Sequence, residues 1–338
     1  MKAAFIISAC LAAIAPTQCI AQSDFYAGKR ITIVVGSDVG GGYDTHARVM
    51  SRHLGSYLAG KPNIIVQNMP GAGSIVATNY LANVAPKDGT YLGVIQRTML
   101  TAKLARLEGV QFDPMELGWI GNLTTETGMV VSWHNHRVKT AEDLFTHELI
   151  VGGAGVAADT EATPRLLNAV IGTKFRIVSG YRGNANILLA LENGEIGGLG
   201  DWAWPNIKTR RPDFLRDRKI NLIMQLGFDK LSDAPANIPL VMDFARTDDD
   251  RKVLQLYFAQ KQVARPVVAP PGVSAARLKE LRSAFNAMVQ DKDAIADAVR
   301  SGVEISATSY EDVGRVMALI AATPPQIADR LAEALKPR

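Results

Sequence analysis

Cysteine is almost missing from this chain: its 338 residues include two, Cys10 and Cys19, both near the start. If that segment is removed, thiol nucleophiles, zinc–thiolate sites and disulfides are excluded together. Histidine is scarce as well, with five residues. Lysine and arginine exceed aspartate and glutamate by only 37 to 33, and no long basic run occurs. Nucleic-acid binding ordinarily clusters basic residues on one face, so that class is set aside. Apolar runs are short. The longest, Phe5–Ala15, is far below the ~20 residues that cross a bilayer.

That run has another meaning. Lys2 precedes it, Pro16-Thr17-Gln18 breaks it, and Cys19-Ile20-Ala21 ends small-x-small. This is the pattern of a secretory leader, with cleavage expected after Ala21 and export of the remainder. A lipoprotein anchor fits poorly, because Cys10 sits inside the apolar run and Pro-Thr-Gln precedes Cys19. The rest of the chain is ordinary globular material, 47% apolar and 21% charged over the whole sequence.

The order of elements predicts an α/β architecture. Ile31–Val35 reads as a buried strand, running into Gly36-Ser37-Asp38-Val39-Gly40-Gly41-Gly42-Tyr43-Asp44 and a helix with Ala47, Met50, Leu54 and Leu58 on one face. Asn63–Gln67 is a second strand, followed by Asn68-Met69-Pro70-Gly71-Ala72-Gly73-Ser74, a helix over 75–83 and a strand at Tyr91–Ile95. The middle repeats this grammar. A strand over Glu148–Val151 leads into Gly152–Thr160, and Thr163-Pro164 reads as the start of a helix. Strands follow at Phe175–Val178 and Asn221–Leu226, with Ile187–Leu191 on a helix between them. The end is helical, with Ser274 and Ser309 as caps and Thr323-Pro324 opening the last helix. Two lobes joined by two crossings are expected, the helical tail covering the first.

Glycine-rich turns between strand and helix attract anions. Nucleotide phosphate is excluded on the residues: counting from Gly40 and Gly42, the dinucleotide fingerprint ends on Thr45, and Gly36 and Gly41 are not followed by Lys-Ser/Thr. No G-x-S-x-G elbow occurs. His134, His136 and His147 lack a third ligand at helical spacing, so a solvated loop is the plain reading, and no cofactor or metal is called for. His46 and His53 read as surface or packing residues.

From Phe25 to Gln96 the chain resembles the extracytoplasmic solute receptors of tripartite tricarboxylate transporters, the Bordetella uptake gene family. The matching residues are Gly40-Gly41-Gly42-Tyr43-Asp44 after the first strand and Asn68-Met69-Pro70-Gly71-Ala72-Gly73 after the second. Pro86-Lys87-Asp88-Gly89-Thr90, Tyr181-Arg182-Gly183 and Ala269-Pro270-Pro271-Gly272-Val273 extend the resemblance along the chain in order. It implies a type II periplasmic binding protein fold, each lobe a mixed, mostly parallel sheet flanked by helices, closing on a small carboxylated solute. Residues 1–21 would be the leader, 22–124 with 241–338 the first lobe, and 125–240 the second. The partners implied are the permease subunits, with a monomeric receptor in the periplasm, no nucleic acid and no catalysis.

Carried over residue by residue, the first lobe would touch solute through Ser37, Asp38, Val39, Gly40 and Tyr43, with Gly71, Ala72, Gly73 and Ser74 opposite. The second would use Gly153, Ala154, Gly155, Ala157 and Thr160, with Tyr181 and Asp201 from strand ends. Asp44 is expected to brace its helix. The family's first loop usually carries prolines where this chain has Gly36, Asp38 and Val39. Asp159 and Glu161 put acids near the solute, which Arg97 or Arg182 would have to answer. Asp201 and Trp202 widen the solute class to zwitterionic or aromatic acids, against the competing reading of Trp202 and Trp204 as packing. An extracytoplasmic hydrolase, or a receptor serving a sensor kinase, are the alternative functions.

Overall fold

A computed structural model describes residues 25–336, so the leader and both cysteines lie outside the described residues. The chain opens on β1 (Arg30–Val35), whose β-branched residues are buried from Ile31 onward. It pairs in parallel with both β2 (Asn63–Asn68) and β3 (Tyr91–Val94), Ile33 lying opposite Val66 and Leu92. The first sheet is completed by β4 (Gly118–Asn122) and two late strands. The second sheet holds β5 (Gly128–Trp133), β6 (Leu149–Gly153), β7 (Phe175–Ser179), β8 (Gly198–Ala203) and β9 (Ile220–Leu226). The late strands are β10 (Pro266–Ala269) and β11 (Thr308–Ser309).

Strand order shows how the lobes are built. The first sheet runs β11-β4-β10-β3-β1-β2 and the second β7-β6-β8-β5-β9. In each, the main body is parallel, and one strand that has just crossed from the other lobe is inserted antiparallel: β10 in the first, β5 in the second. The crossings are therefore short at β4–β5 and long at β9–β10, and the long one carries the Asp248–Ala259 helix. Val253, Leu254, Tyr257 and Phe258 of that helix join apolar residues of both lobes in one continuous core.

Caps place the helices. Ser274 accepts from the Arg277 amide to start the Ala275–Gln290 helix, and Ser309 with Asp312 forms a capping box at Tyr310–Ala321. A further box, Thr247 with Asp250, starts the crossing helix. The helical tail only partly follows expectation. The 275–290 and 310–321 helices lie on β4 and the 292–300 helix on the first-lobe helix Gly42–His53, but the last, Pro325–Leu335, lies against the second-lobe helix Asp159–Val170.

One helix start needs correction. Thr163-Pro164 does not open a helix; Pro164 lies inside the Asp159–Val170 helix. The Thr163 hydroxyl is not a cap but donates to Asp201 at 2.8 Å. Pro164 has no N–H to return to the turn before it, and its ring packs on β8 where that strand is reduced to Gly200. A Cβ on Gly200 would stand 2.1 Å from the Pro164 ring. Gly200→Ala therefore overpacks this contact and lowers stability by about 1–3 kcal/mol, read as a lower thermal midpoint with unchanged far-ultraviolet circular dichroism.

Candidate functional site

The loops after β1 and β2 and the loop after β6 meet where the lobes face each other. The 71–74 turn is strained: Ala72 (φ 45°), Gly73 (φ 64°) and Ser74 (φ 84°) are successive left-handed residues. Gly73 presses on the second lobe so closely that a Cβ would lie 2.2 Å from the Ala158 nitrogen, and Gly155 answers it across the gap. Here the lobes touch backbone to backbone. Ser74 turns the other way, is fully buried, and accepts from the Gln96 amide at 3.2 Å. A Cβ on Gly71 would meet Val76 of its own chain segment.

Beside this contact is a cavity of ≈30 Å³ between the lobes, room for about two water molecules. Ser37, Asp38, Gly41, Gly42, Tyr43 and Gln96 line it from the first lobe, and Ala154, Ala158, Asp159, Thr160, Arg182, Gly183 and Asn184 from the second. Two helix N-termini, Gly42–His53 and Asp159–Val170, thus approach it from opposite sides; the first amides of the former favour an anion, whereas Thr160, Glu161 and Ala162 of the latter already donate to Asp159 Oδ1 and the Ala158 carbonyl. Larger hollows lie elsewhere, including one of ≈830 Å³ around Lys87, Lys103 and Arg106, but none of their lining residues carries a buried polar atom without a partner. The interlobe cavity does: Ser37 Oγ, Asp38 Oδ1 and Gln96 Oε1 are all buried and unpartnered.

Of the residues expected at the solute, Val39 is largely exposed and Gly40 is tied at its amide to Asp44 and at its carbonyl to Arg210 of the second lobe. Asp44 braces the loop, also accepting from Arg48 and Asn68 at 2.9 Å each, and its carboxyl is held below the usual range once these bonds outweigh burial. In the second lobe, Ala154 and Gly155 donate their amides to Thr160 Oγ1 and Glu161 Oε2, both at 3.2 Å, so those N–H groups are already used. Glu161 also pairs with Arg165 at 2.6 Å, which removes it as an acid facing solute. Gly153 and Ala157 are buried and do not line the cavity, and Tyr181 covers Gly152. Trp202 is a correction. It lies in the second-lobe core against Phe214, with ring centroids 6.0 Å apart, because alternation along β8 sends Asp201 and Trp202 to opposite faces.

Asp201 belongs to a cluster that sequence reading found only in part. Arg97, 1% exposed, pairs with Glu126, with Asp159 at 2.7 Å and with Asp201 at 3.3 Å. Lys261 reaches both Asp201 oxygens at 2.9 Å, and Arg265 reaches Glu126 at 3.0 Å. Three cations thus face three carboxylates, drawn from both lobes and both crossings. Burial would raise Glu126, but Arg265, Arg97 and Lys261 hold it at about 2. Burial likewise opposes charge on Arg97, and Asp159, Glu126 and Asp201 carry it well above the ordinary arginine value. Tyr43 roofs the cluster, its ring 4.1 Å beneath the Arg265 guanidinium and its hydroxyl pushed up to about 12 by burial. Glu126, Lys261 and Arg265 carry no local motif; the only hint in the sequence is a lysine and an arginine ending the apolar crossing.

No family model matches the chain. It is similar to two curated proteins of the UPF0065 group. One, from the gbd 5′ region of Cupriavidus necator, is 28% identical over 192 residues, 54% of this chain and 57% of that protein. The other, from Agrobacterium vitis, is 29% identical over 204 residues, 58% of this chain and 57% of that one. The chain thus spans a little over half the length of the curated relatives it matches. Among solved structures, the periplasmic binding protein BugD superposes with a TM-score of 0.71 at 17% identity, covering 91% of this chain and 98% of that one. MatC from Rhodopseudomonas palustris with bound malate gives 0.70 at 19% identity, covering 91% and 99%. The fold is that of the periplasmic binding proteins, as the motifs led one to expect.

Proposed function

We propose that this two-lobed α/β protein is an extracytoplasmic receptor that closes on a small carboxylate-bearing solute and hands it to the permease of a tripartite transporter. The observation that carries this reading is the convergence of two helix N-termini from opposite lobes on one cavity lined by unpartnered buried polar atoms. The start of the Gly42–His53 helix, with no side-chain cap at Gly41, is the place for the solute carboxylate. With the lobes packed as they are the cavity holds only about two waters, so uptake takes a hinge opening at the 123–127 and 227–265 crossings, and the lobes close again less tightly around the solute. Similarity to a malate-bound relative in the solved structures supports the carboxylate. The leader read over residues 1–21 supports a periplasmic receptor in this reading.

The receptor binds without chemical conversion in this reading. A hydrolase needs a nucleophile within ~3 Å of a base. Ser37 Oγ, the cavity's free hydroxyl, has no such neighbour among the described residues, and both ring nitrogens of His46 are held by the Gly42 and Glu304 carbonyls. Thermal denaturation against a panel of dicarboxylates, aromatic acids and amino acids tests the proposal. A solute at 100 times its dissociation constant adds about 2.7 kcal/mol and raises the midpoint. A panel that leaves the midpoint unmoved overturns it.

A further inference from the structure

We infer that the solute carries a protonated amine as well as a carboxylate, and that Asp38 is the counter-ion that selects the amine. This rests on the reading of the interlobe cavity as a solute site.

The three orphaned atoms at the cavity are all oxygens: Ser37 Oγ, Asp38 Oδ1 and Gln96 Oε1. Serine can donate and a glutamine amide can turn to present its NH₂, but an ionised aspartate only accepts. A second carboxylate on the solute would leave the Asp38 acceptor unmet and add like charge beside it. An ammonium group, with three donors and a positive charge, supplies what the Asp38 acceptor lacks and can be shared with neighbouring oxygens.

Asp38 is also held where it must face the solute. It belongs to the first lobe, yet a Cβ on Gly183 of the second would stand 2.2 Å from its Oδ1. Closure therefore carries this carboxylate across the gap into a slot kept open by the missing side chain. Its surroundings are under-compensated: burial raises the Asp38 carboxyl, its own backbone and the exposed Arg182 only partly oppose this, and Asp44 adds to it.

Charge bookkeeping in the neighbourhood points the same way. Arg97, expected from the sequence to answer a second solute carboxylate, is already surrounded by Glu126, Asp159 and Asp201. Among the residues that line the cavity, what remains for a solute carboxylate is Arg182 and the first amides of the Gly42–His53 helix. The cleft is thus matched to a zwitterion.

Matched pairs that differ only by the amine test this: L-aspartate with succinate, L-glutamate with glutarate, and γ-aminobutyrate with butyrate. Each is titrated by calorimetry into the purified exported chain and into Asp38→Asn, with Asp38→Ser as a second variant and unliganded melting curves as the check on folding. At least one amine-bearing member is expected to bind ten or more times more tightly than its partner, and Asp38→Asn to shrink that ratio to threefold or less. If the partners bind equally, or the ratio survives in both variants, the amine assignment falls while the receptor reading stands. If none of these compounds and none of the wider acid panel binds, the receptor reading fails and takes this inference with it.

Discussion

Arg97→Met lowers the stability of the protein by about 3–5 kcal/mol, the loss expected when one partner of a buried ion cluster is removed and its carboxylates stay behind. Glu126 and Asp201 are both almost inaccessible, and Arg97 is their shared neighbour. Lys261 and Arg265 remain, but two cations then face three carboxylates in a medium that screens poorly. Calorimetric scanning should show the midpoint fall by roughly 5–15 °C for a chain of this size. Arg97→Met combined with Asp159→Asn should recover part of the loss, because it restores the balance of charge. A midpoint within 1–2 °C (about 0.5 kcal/mol) of the parent would mean that the cluster contributes little.

The acid side of the profile follows from the same residues. Glu126 has a folded pKa of about 2, below its ordinary 4.5. A depressed carboxyl stabilises the fold above its unfolded value, and that contribution is lost as pH falls from about 4.5 through about 2. Without Arg97 the depression is smaller, so the acid transition of Arg97→Met begins at higher pH than that of the parent. Unfolding curves followed by circular dichroism across this range decide it.

Gly73→Val holds the lobes apart. The added Cβ would fall 2.2 Å from the Ala158 nitrogen and 2.5 Å from the Ala157 carbonyl carbon, and backbone cannot step aside as a flexible side chain can. The φ of +64° is a second obstacle, costing a β-branched residue about 1–3 kcal/mol. Besides the core they share, each lobe has one of its own, so secondary structure is retained. Solution scattering should show a larger radius of gyration than the parent, and any solute that stabilises the parent should lose at least 100-fold in affinity. An unchanged scattering curve would show that the 71–74 turn yields instead.

Much of the scaffold is readable from the chain where local chemistry is strong. The β-branched run Ile31–Val35, the Ser274 cap and the Ser309–Asp312 box lie where sequence places them, because each needs only its immediate neighbours. Of the strands that escape notice, β4, β5, β8 and β11, two, β4 and β8, are broken by glycine for tertiary reasons. In β4, a Cβ on Gly121 would lie 2.4 Å from the Phe285 ring, so that glycine makes room for the 275–290 helix. In β8, Gly200 does the same for Pro164.

The loops at the interlobe face are legible as glycine-rich turns, but what their amides do is not. Thr160 and Glu161 take the Ala154 and Gly155 N–H groups through a folded-back helix start that spacing alone does not reveal. The ion cluster is hidden for a similar reason. Its six members are spread from Arg97 to Arg265, and only the crossing of the chain between lobes assembles them.

The last two helices carry a mechanical consequence. One rests on the first lobe and the other on the second, and only Ala322, Thr323 and Pro324 lie between them. The four Cα–Cα steps from Ala321 to Pro325 reach no more than about 14 Å at full stretch. This leash sets a ceiling on how wide the jaws can gape along that edge. Going further would peel Ile327 and Leu331 off their seat and expose them to water.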